Sequence, residues 1–165
     1  MNRVRVQAEP FDSAAVQQEL VAGNPAIGAV VSFVGLMRDI NQGDRVDSMT
    51  LEHYPAMTEK ALQGIVREAE QRWDLLGIRL VHRVGELLPS DPIVLVAVAS
   101  AHRGEAFSAC EFIIDYLKTR APFWKKEKTP AGDRWVDARV SDNEAESRWV
   151  DARVSDNEAE SRWVK

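Results

Sequence analysis

The chain has 165 residues, of which 45% are hydrophobic and 28% are charged, and its formal net charge is −5. This length suffices for one domain with a real core, and the composition is that of an ordinary globular protein. No apolar run reaches the length of a membrane span. The single cysteine excludes an internal disulfide bond and fits a reducing cytoplasm.

Hydrophobic periodicity predicts strands and helices that mix without strict alternation. The predicted strands are 4–8, 27–34, 48–53, 78–84 and 93–101, and the predicted helices are 13–22, 58–73 and 105–120. The β-branched run 27–34 predicts a buried strand, and 35–47 predicts a mobile loop that carries Arg38. Segments 125–129 and 134–140 predict a hairpin around the turn 130–133. This mixture favours an α+β fold with a largely antiparallel sheet and helices packed on it.

A cluster of cations stands out on this acidic chain. Between residues 118 and 128 only one acid, Glu127, interrupts the basic side chains, which are Lys118, Arg120, Lys125, Lys126 and Lys128. A local cluster on an anionic protein indicates a site for an anion, whereas a uniformly basic surface would indicate nucleic acid.

Lys118 extends an apolar stripe of the third predicted helix. Phe107, Cys110, Ile114 and Leu117 recur at helical spacing, and Lys118 lies four residues after Ile114. We therefore expect its ammonium at the edge of the core, partly desolvated, where a lysine can act as a base, a nucleophile or an anion anchor. A structural role at the helix C-terminus is an equally open reading for Lys118 and the preferred one for Arg120.

Four segments carry a resemblance to a known family. They are Thr50-Leu51-Glu52-His53-Tyr54-Pro55, Ser100-Ala101-His102-Arg103, Asp115 to Lys125 and Gly132 to Arg139. Together they closely resemble the large, catalytic subunit of molybdopterin synthase, in matching order from about residue 11 to 148. The resemblance implies an α/β hammerhead-like fold with a small additional β subdomain.

The resemblance also implies an activity. The family transfers sulfur from a small ubiquitin-like carrier subunit, which ends in a Gly-Gly thiocarboxylate, to cyclic pyranopterin monophosphate and forms the molybdopterin dithiolene. It works as a homodimer of large subunits within a heterotetramer, in the cytoplasm and without a resident cofactor. The implied catalytic residues are Lys118 and Lys125, and the implied substrate-binding residues are Arg38, His102, Arg103 and Arg139.

Other functions remain open on the residues alone. The basic segment is also compatible with a non-catalytic module that binds the tail of a ubiquitin-like partner. A nucleic-acid-binding protein is disfavoured by the net charge, and no membrane partner is expected. His53 and His82 lie in predicted strands without a Cys or His neighbour at metal-ligand spacing, so no metal site is predicted.

The C-terminal sequence contains a repeat. Residues 134–147 read RWVDARVSDNEAES, and residues 148–161 repeat them letter for letter. The identity indicates a recent tandem duplication or an artefact. We expect one domain over 1–147 and a duplicated extension over 148–165. The first copy is expected to complete the hairpin, and the extra tail either packs as a helix or lies in the groove of the carrier's C-terminus.

Overall fold

The computed structural model describes residues 3–136 and 140–151. Its elements in chain order are β1 (Val4–Gln7), α1 (Ser13–Val21), β2 (Ala29–Leu36), β3 (Ile40–Asn41), β4 (Asp44–Arg45), β5 (Ser48–His53), α2 (Pro55–Arg72), β6 (Gly77–Arg83), β7 (Gly85–Leu87), β8 (Pro92–Ser100), α3 (Arg103–Arg120), β9 (Phe123–Thr129), β10 (Gly132–Val136) and α4 (Val140–Asp151). No helix in these ranges is long and apolar enough to cross a membrane.

The first sheet has the strand order β1–β6–β8–β2 and carries helices on both faces. Side chains alternate along a strand, so β8 sends Val94, Val96 and Val98 into the core with α2 and α3. Its intervening residues, among them Leu95 and Ala97, pack with α1 on the opposite face. Among the strands that the structure describes, only β1 and β6 pair in parallel. The expected α+β class with largely antiparallel pairing is confirmed.

A second sheet, of order β10–β9–β5–β7, is fully antiparallel and lies beside a small hairpin of β3 and β4. The hairpin turns at Gln42 and Gly43, whose φ angles are 53° and 81°. Positive φ at both central residues is the geometry that a two-residue hairpin turn requires. The prediction of a loop over 35–47 is therefore wrong in part, because this segment contains the end of β2 and the hairpin.

Strand β2 is not buried, contrary to the prediction. Phe33 is 38%, Val34 37% and Leu36 54% exposed. The strand lies at the edge of the first sheet and pairs with β8 on one side. A β-branched run fits any pleated strand, so its composition does not reveal whether a neighbouring element covers it.

Helix α3 turns a different face to the core than the predicted stripe. Cys110 and Leu117 are buried as expected, but Phe107 is 50% exposed. The buried face also contains small and aromatic residues, namely Ala106, Ala109, Phe112, Ile113 and Tyr116. The alanines let the helix approach the sheet closely. As a consequence Lys118 is exposed rather than placed at the edge of the core.

Only Ala121 and Pro122 connect α3 to β9. Ala121 leaves the helix in an extended conformation, because the following Pro122 disfavours helix at the residue before it. The Phe123 amide donates to the Ala121 carbonyl at 2.9 Å, and the Thr58 hydroxyl of α2 donates to the Pro122 carbonyl at 3.0 Å. This fixed corner holds the last turn of α3 close to the first residues of β9.

The repeated tail adopts two structures. Arg134-Trp135-Val136 lies in β10, whereas the identical Arg148-Trp149-Val150 lies in α4. Trp149 donates from Nε1 to Asp115 Oδ2 at 2.7 Å. Its ring packs edge-on against Trp73 and Phe112, with centroids 5.7 and 5.6 Å away.

The extra tail therefore packs as a helix on its own chain as far as residue 151. The first copy supplies the hairpin strand as predicted, although Val140 already belongs to α4. Residues 152–165, on which the proposed occupation of the carrier groove depends, lie outside the described residues. The division of the chain at residue 148 stays a prediction.

The two copies offer a matched pair of substitutions. We expect Trp149→Ala to lower the free energy of unfolding by about 2 kcal/mol, because a partly buried ring and its hydrogen bond are lost. Trp135→Ala removes the same side chain where it is 58% exposed and is expected to cost less than about 0.5 kcal/mol. Urea unfolding of both variants measures the difference, and equal losses would show that α4 does not contribute through Trp149.

Candidate active site

A cavity of about 520 Å³ opens between the two sheets and the C-terminal end of α3. Its walls come from the end of β2 and the residues after it, from β5 and β9 of the second sheet, and from the last turn of α3. This volume is within the range of small-molecule sites. The cations among its lining residues are Arg38, Lys118 and Lys125.

Lys125 reaches the cavity because of strand alternation. Phe123, Lys125 and Glu127 share the face of β9 that lines the cavity, while Lys126 and Lys128 alternate with them on the other face. Lys125 stands opposite Leu51 of β5 in the register, and it is partly buried. It is thus more enclosed than Lys118, although the sequence favoured Lys118 as the desolvated lysine.

Glu127 is the acid of the cavity wall, and it has partners. It is 3% exposed and accepts a hydrogen bond from Asn41 Nδ2 at 2.9 Å. Arg134 Nε lies 3.4 Å from the same carboxylate, and Arg134 also donates to Asp44 Oδ2 at 2.7 Å. These contacts fasten the β3–β4 hairpin to the second sheet. Since Arg134 compensates the charge of Glu127, the cations that line the cavity keep an excess of positive charge.

Arg38 follows a fixed point of the chain. The amide of Met37 donates to the Asp91 carbonyl at 2.9 Å, and the Met37 carbonyl accepts from the Ser90 amide at 2.8 Å. The Met37 side chain is buried in the core beneath β5 and β7. Arg38 itself is exposed, so the structure holds its backbone and leaves its guanidinium at the mouth of the cavity.

His82 forms part of the inner wall, which the sequence did not predict. Its ring stacks on Phe123 with centroids 4.0 Å apart and an interplanar angle of 18°. The pKa of His82 is lowered to about 4, chiefly by burial; a hydrogen bond with the Arg83 carbonyl raises it, and the charges of Lys118 and His53 add to the lowering. The imidazole is therefore neutral at physiological pH.

His102 and Arg103 do not line this cavity. His102 is the N-cap of α3 without a side-chain capping bond, and both residues are exposed. They follow Ser100, which pairs with Ala29 at one end of β2, whereas the cavity lies at the Gly35 end, opposite Val94. Six residues of strand separate these ends, or roughly 20 Å at about 3.3 Å per residue. Arg139 lies outside the described residues.

The cavity contains three residues of the predicted set, namely Arg38, Lys118 and Lys125, and it adds His82 and Glu127. His102 and Arg103 of the predicted set lie outside it. Alternation along β9 could have indicated Glu127, since it lies two residues after Lys125. No local signal could have indicated His82, because its role depends on which strand lies behind α3. Among the described residues, no group of three or more His, Cys, Asp or Glu side chains could hold a metal ion.

The neutral state of His82 predicts a pH dependence of stability. The unfolded chain binds a proton at His82 below about pH 6.5, but the folded chain does so only near pH 4. Stability is therefore lost as the pH falls through this window, by about 3 kcal/mol in all, and His82 contributes no pH dependence above it.

Urea unfolding between pH 7 and pH 4 tests this expectation. The free energy of unfolding should fall more for the parent chain than for His82→Gln, in which the titrating group is absent and the carboxylates are unchanged. Identical pH profiles of the two proteins would contradict a neutral, buried His82.

Comparisons with known proteins identify the family of the chain. A family profile described as "MoaE protein" matches residues 6–120. The molybdopterin synthase catalytic subunit of Ralstonia nicotianae is 63% identical over 145 residues, 88% of this chain and 82% of that protein. The subunit of the same name from Escherichia coli is 55% identical over 143 residues, 87% of this chain and 95% of that protein.

Solved structures agree as well. The molybdopterin biosynthesis MoaE protein from Burkholderia ambifaria has a TM-score of 0.78 at 55% identity, with 90% of this chain and 98% of that chain covered. Molybdopterin synthase from Staphylococcus aureus has a TM-score of 0.77 at 34% identity, with 83% and 98% covered. The chain belongs to the MoaE family, the catalytic subunits of molybdopterin synthase.

Proposed function

We propose that the chain catalyses sulfur transfer from a thiocarboxylated, ubiquitin-like carrier subunit to cyclic pyranopterin monophosphate and so forms the molybdopterin dithiolene. Family membership supports the reaction. The single observation that carries it on this chain is the convergence of Arg38, Lys118 and Lys125 on one cavity. The cytoplasmic location predicted from the sequence is part of the same proposal.

The charges of the two substrates explain this arrangement. The precursor carries a phosphate, and the carrier ends in a thiocarboxylate, so two anions must be held close together. Fixed cations in a partly enclosed cavity lower the repulsion between them and stabilise charge that develops during transfer. Lys118 and Lys125 act at the carrier's terminal carbonyl, Lys118 as a base or a charge stabiliser, and Arg38 holds the phosphate and pterin side.

Lys118→Ala should nearly abolish dithiolene formation and leave the fold and carrier binding intact, since an exposed side chain is removed without core volume. Lys128→Ala is the matched control, because this lysine lies on the same cationic segment but points away from the cavity. An assay with precursor and thiocarboxylated carrier measures both variants. Full activity of Lys118→Ala would reject its role. A parent chain that binds the carrier without forming product would favour the non-catalytic binding module.

We propose that a second copy of the chain completes the site. His102 and Arg103 belong to the implied substrate-binding set but lie at the far end of β2. A two-fold axis near the middle of β2 would place the Ala29 end of one copy beside the Gly35 end of the other. The exposed Phe33, Val34 and Leu36 supply apolar surface for such a contact. Phe123 offers less surface for such a contact, because its ring is stacked on His82.

Subunit mixing tests this arrangement. Arg38→Ala and Arg103→Ala should each weaken precursor binding by about 1.5–3 kcal/mol, as the loss of a charge-assisted contact does. If each site takes Arg38 from one copy and Arg103 from the other, random mixing of the two variants leaves about a quarter of the sites intact. Calorimetry with the precursor and the activity assay should both show this recovery.

The control is each variant refolded alone, which should show no recovery. If an equal mixture binds the precursor as weakly as each variant alone, both arginines of a site come from one copy. If each large subunit of the dimer binds one carrier, the assembly is the heterotetramer that the resemblance implies.

A further inference from the structure

We propose that His82 is a positioning residue for Lys118, an acceptor whose Nε2 atom receives a hydrogen bond from the lysine ammonium. This inference rests on the proposed function, since it assigns a role at the same site. It concerns a residue that the sequence left as an ordinary strand histidine, and it follows from three features of the cavity wall.

The first feature is the fixed tautomer of the ring. His82 Nδ1 lies 2.7 Å from the carbonyl oxygen of Arg83. A carbonyl can only accept, so Nδ1 carries the proton and donates it. Nε2 then carries a lone pair and is the ring nitrogen that remains for the cavity. The wall therefore presents an acceptor.

The second feature is the fixed plane of the ring. His82 is 5% exposed, and its stack on Phe123 is close to parallel. Phe123 is in turn held by the corner that ends α3, through the bonds to Ala121 and Pro122. The stack fixes the plane of the imidazole, and the bond from Nδ1 to the Arg83 carbonyl opposes a flip of the ring within that plane.

The third feature is its place relative to α3. Ile78 and Leu80 of β6 pack in the core that contains α3, and His82 continues the same face two residues further along. It therefore emerges where the last turn of α3 carries Leu117 and Lys118, and all three residues line the cavity. Lys118 is close enough for its charge to act on His82.

A neutral acceptor suits a lysine on a reacting centre. The lysine side chain is a flexible four-carbon stem with three donors, so it adopts many positions unless acceptors hold it. A carboxylate in this place would cancel the positive charge of Lys118 that attracts the anions, and a protonated imidazole would repel the Lys118 ammonium. The charged groups that face His82 across the cavity are Lys118, Lys125, Arg38 and Glu127, and His53 acts on it from β5.

Two substitutions separate positioning from packing. His82→Gln keeps an acceptor near the position of Nε2 but loses the aromatic stack, whereas His82→Phe keeps the stack on Phe123 but removes the acceptor. With carrier and precursor, we expect His82→Phe to lower kcat at least about tenfold with KM little changed, because Lys118 is misplaced. His82→Gln should stay within about threefold of the parent chain. Full activity of His82→Phe, or equal losses in both variants, would overturn the proposal.

A readout without turnover keeps this inference separate from the proposed function. Lysines methylated with a carbon-13 label give an NMR signal for each side chain, and the Lys118 signal is the one missing from Lys118→Ala. We expect this signal to change its shift and its pH titration in His82→Phe but not in His82→Gln.

The same Lys118 signal in the parent chain and in both variants would overturn the positioning role even if the enzyme is active. Conversely, a changed signal in His82→Phe alone, together with a parent chain that forms no dithiolene, would support the contact and reject the proposed reaction.

Discussion

The corner between α3 and β9 places Phe123 on His82 and so joins the two sheets, and the site depends on this corner. His82 belongs to β6 in the first sheet, and Phe123 begins β9 of the second, with their ring centroids 4.0 Å apart. Phe123 can meet His82 because Pro122 ends α3 and the strand starts at once, with Thr58 holding the corner. The cavity lies where the sheets diverge from this contact. Lys118 precedes the corner and Lys125 follows it, so the corner sets the distance between the two lysines along the chain.

The electrostatics of the site follow from placement rather than from overall charge. The chain is acidic, yet the cavity collects Arg38, Lys118 and Lys125 from three separate elements. Its acid, Glu127, is paired with Arg134 and Asn41 and so serves to hold the hairpin in place. His82 is kept neutral by burial. An anion that enters the cavity therefore meets three cations in a place where water is partly excluded and attraction is stronger.

The sequence predicts the structure well where local patterns determine it, and poorly where the packing of neighbouring elements determines it. The strands, α1 and α2 fall within a few residues of their predicted bounds, and the Asp12 side chain caps α1 at its first turn. The exposure of β2 and of Lys118 was predicted wrongly, because each depends on which element packs against it. Lys118 and Lys125 were grouped by the local cluster of cations, and Arg38 was added by family resemblance. Neither the sequence patterns nor the family resemblance indicated His82, because a lone histidine in a predicted strand does not reveal which element packs against it.

The repeated tripeptide shows the same limit within one molecule. Arg-Trp-Val is a strand at 134–136 and part of a helix at 148–150, so its own propensities decide neither structure. At the first position the turn after β9 aligns it with Lys125 to Glu127. At the second position Asp115 and the rings of Trp73 and Phe112 receive Trp149, while Arg120 of α3 pairs with Glu146 of α4 at 2.7 Å. Packing outweighs local preference in both places. A duplication that keeps the residues can therefore add a second copy without disturbing the strand that the cavity needs.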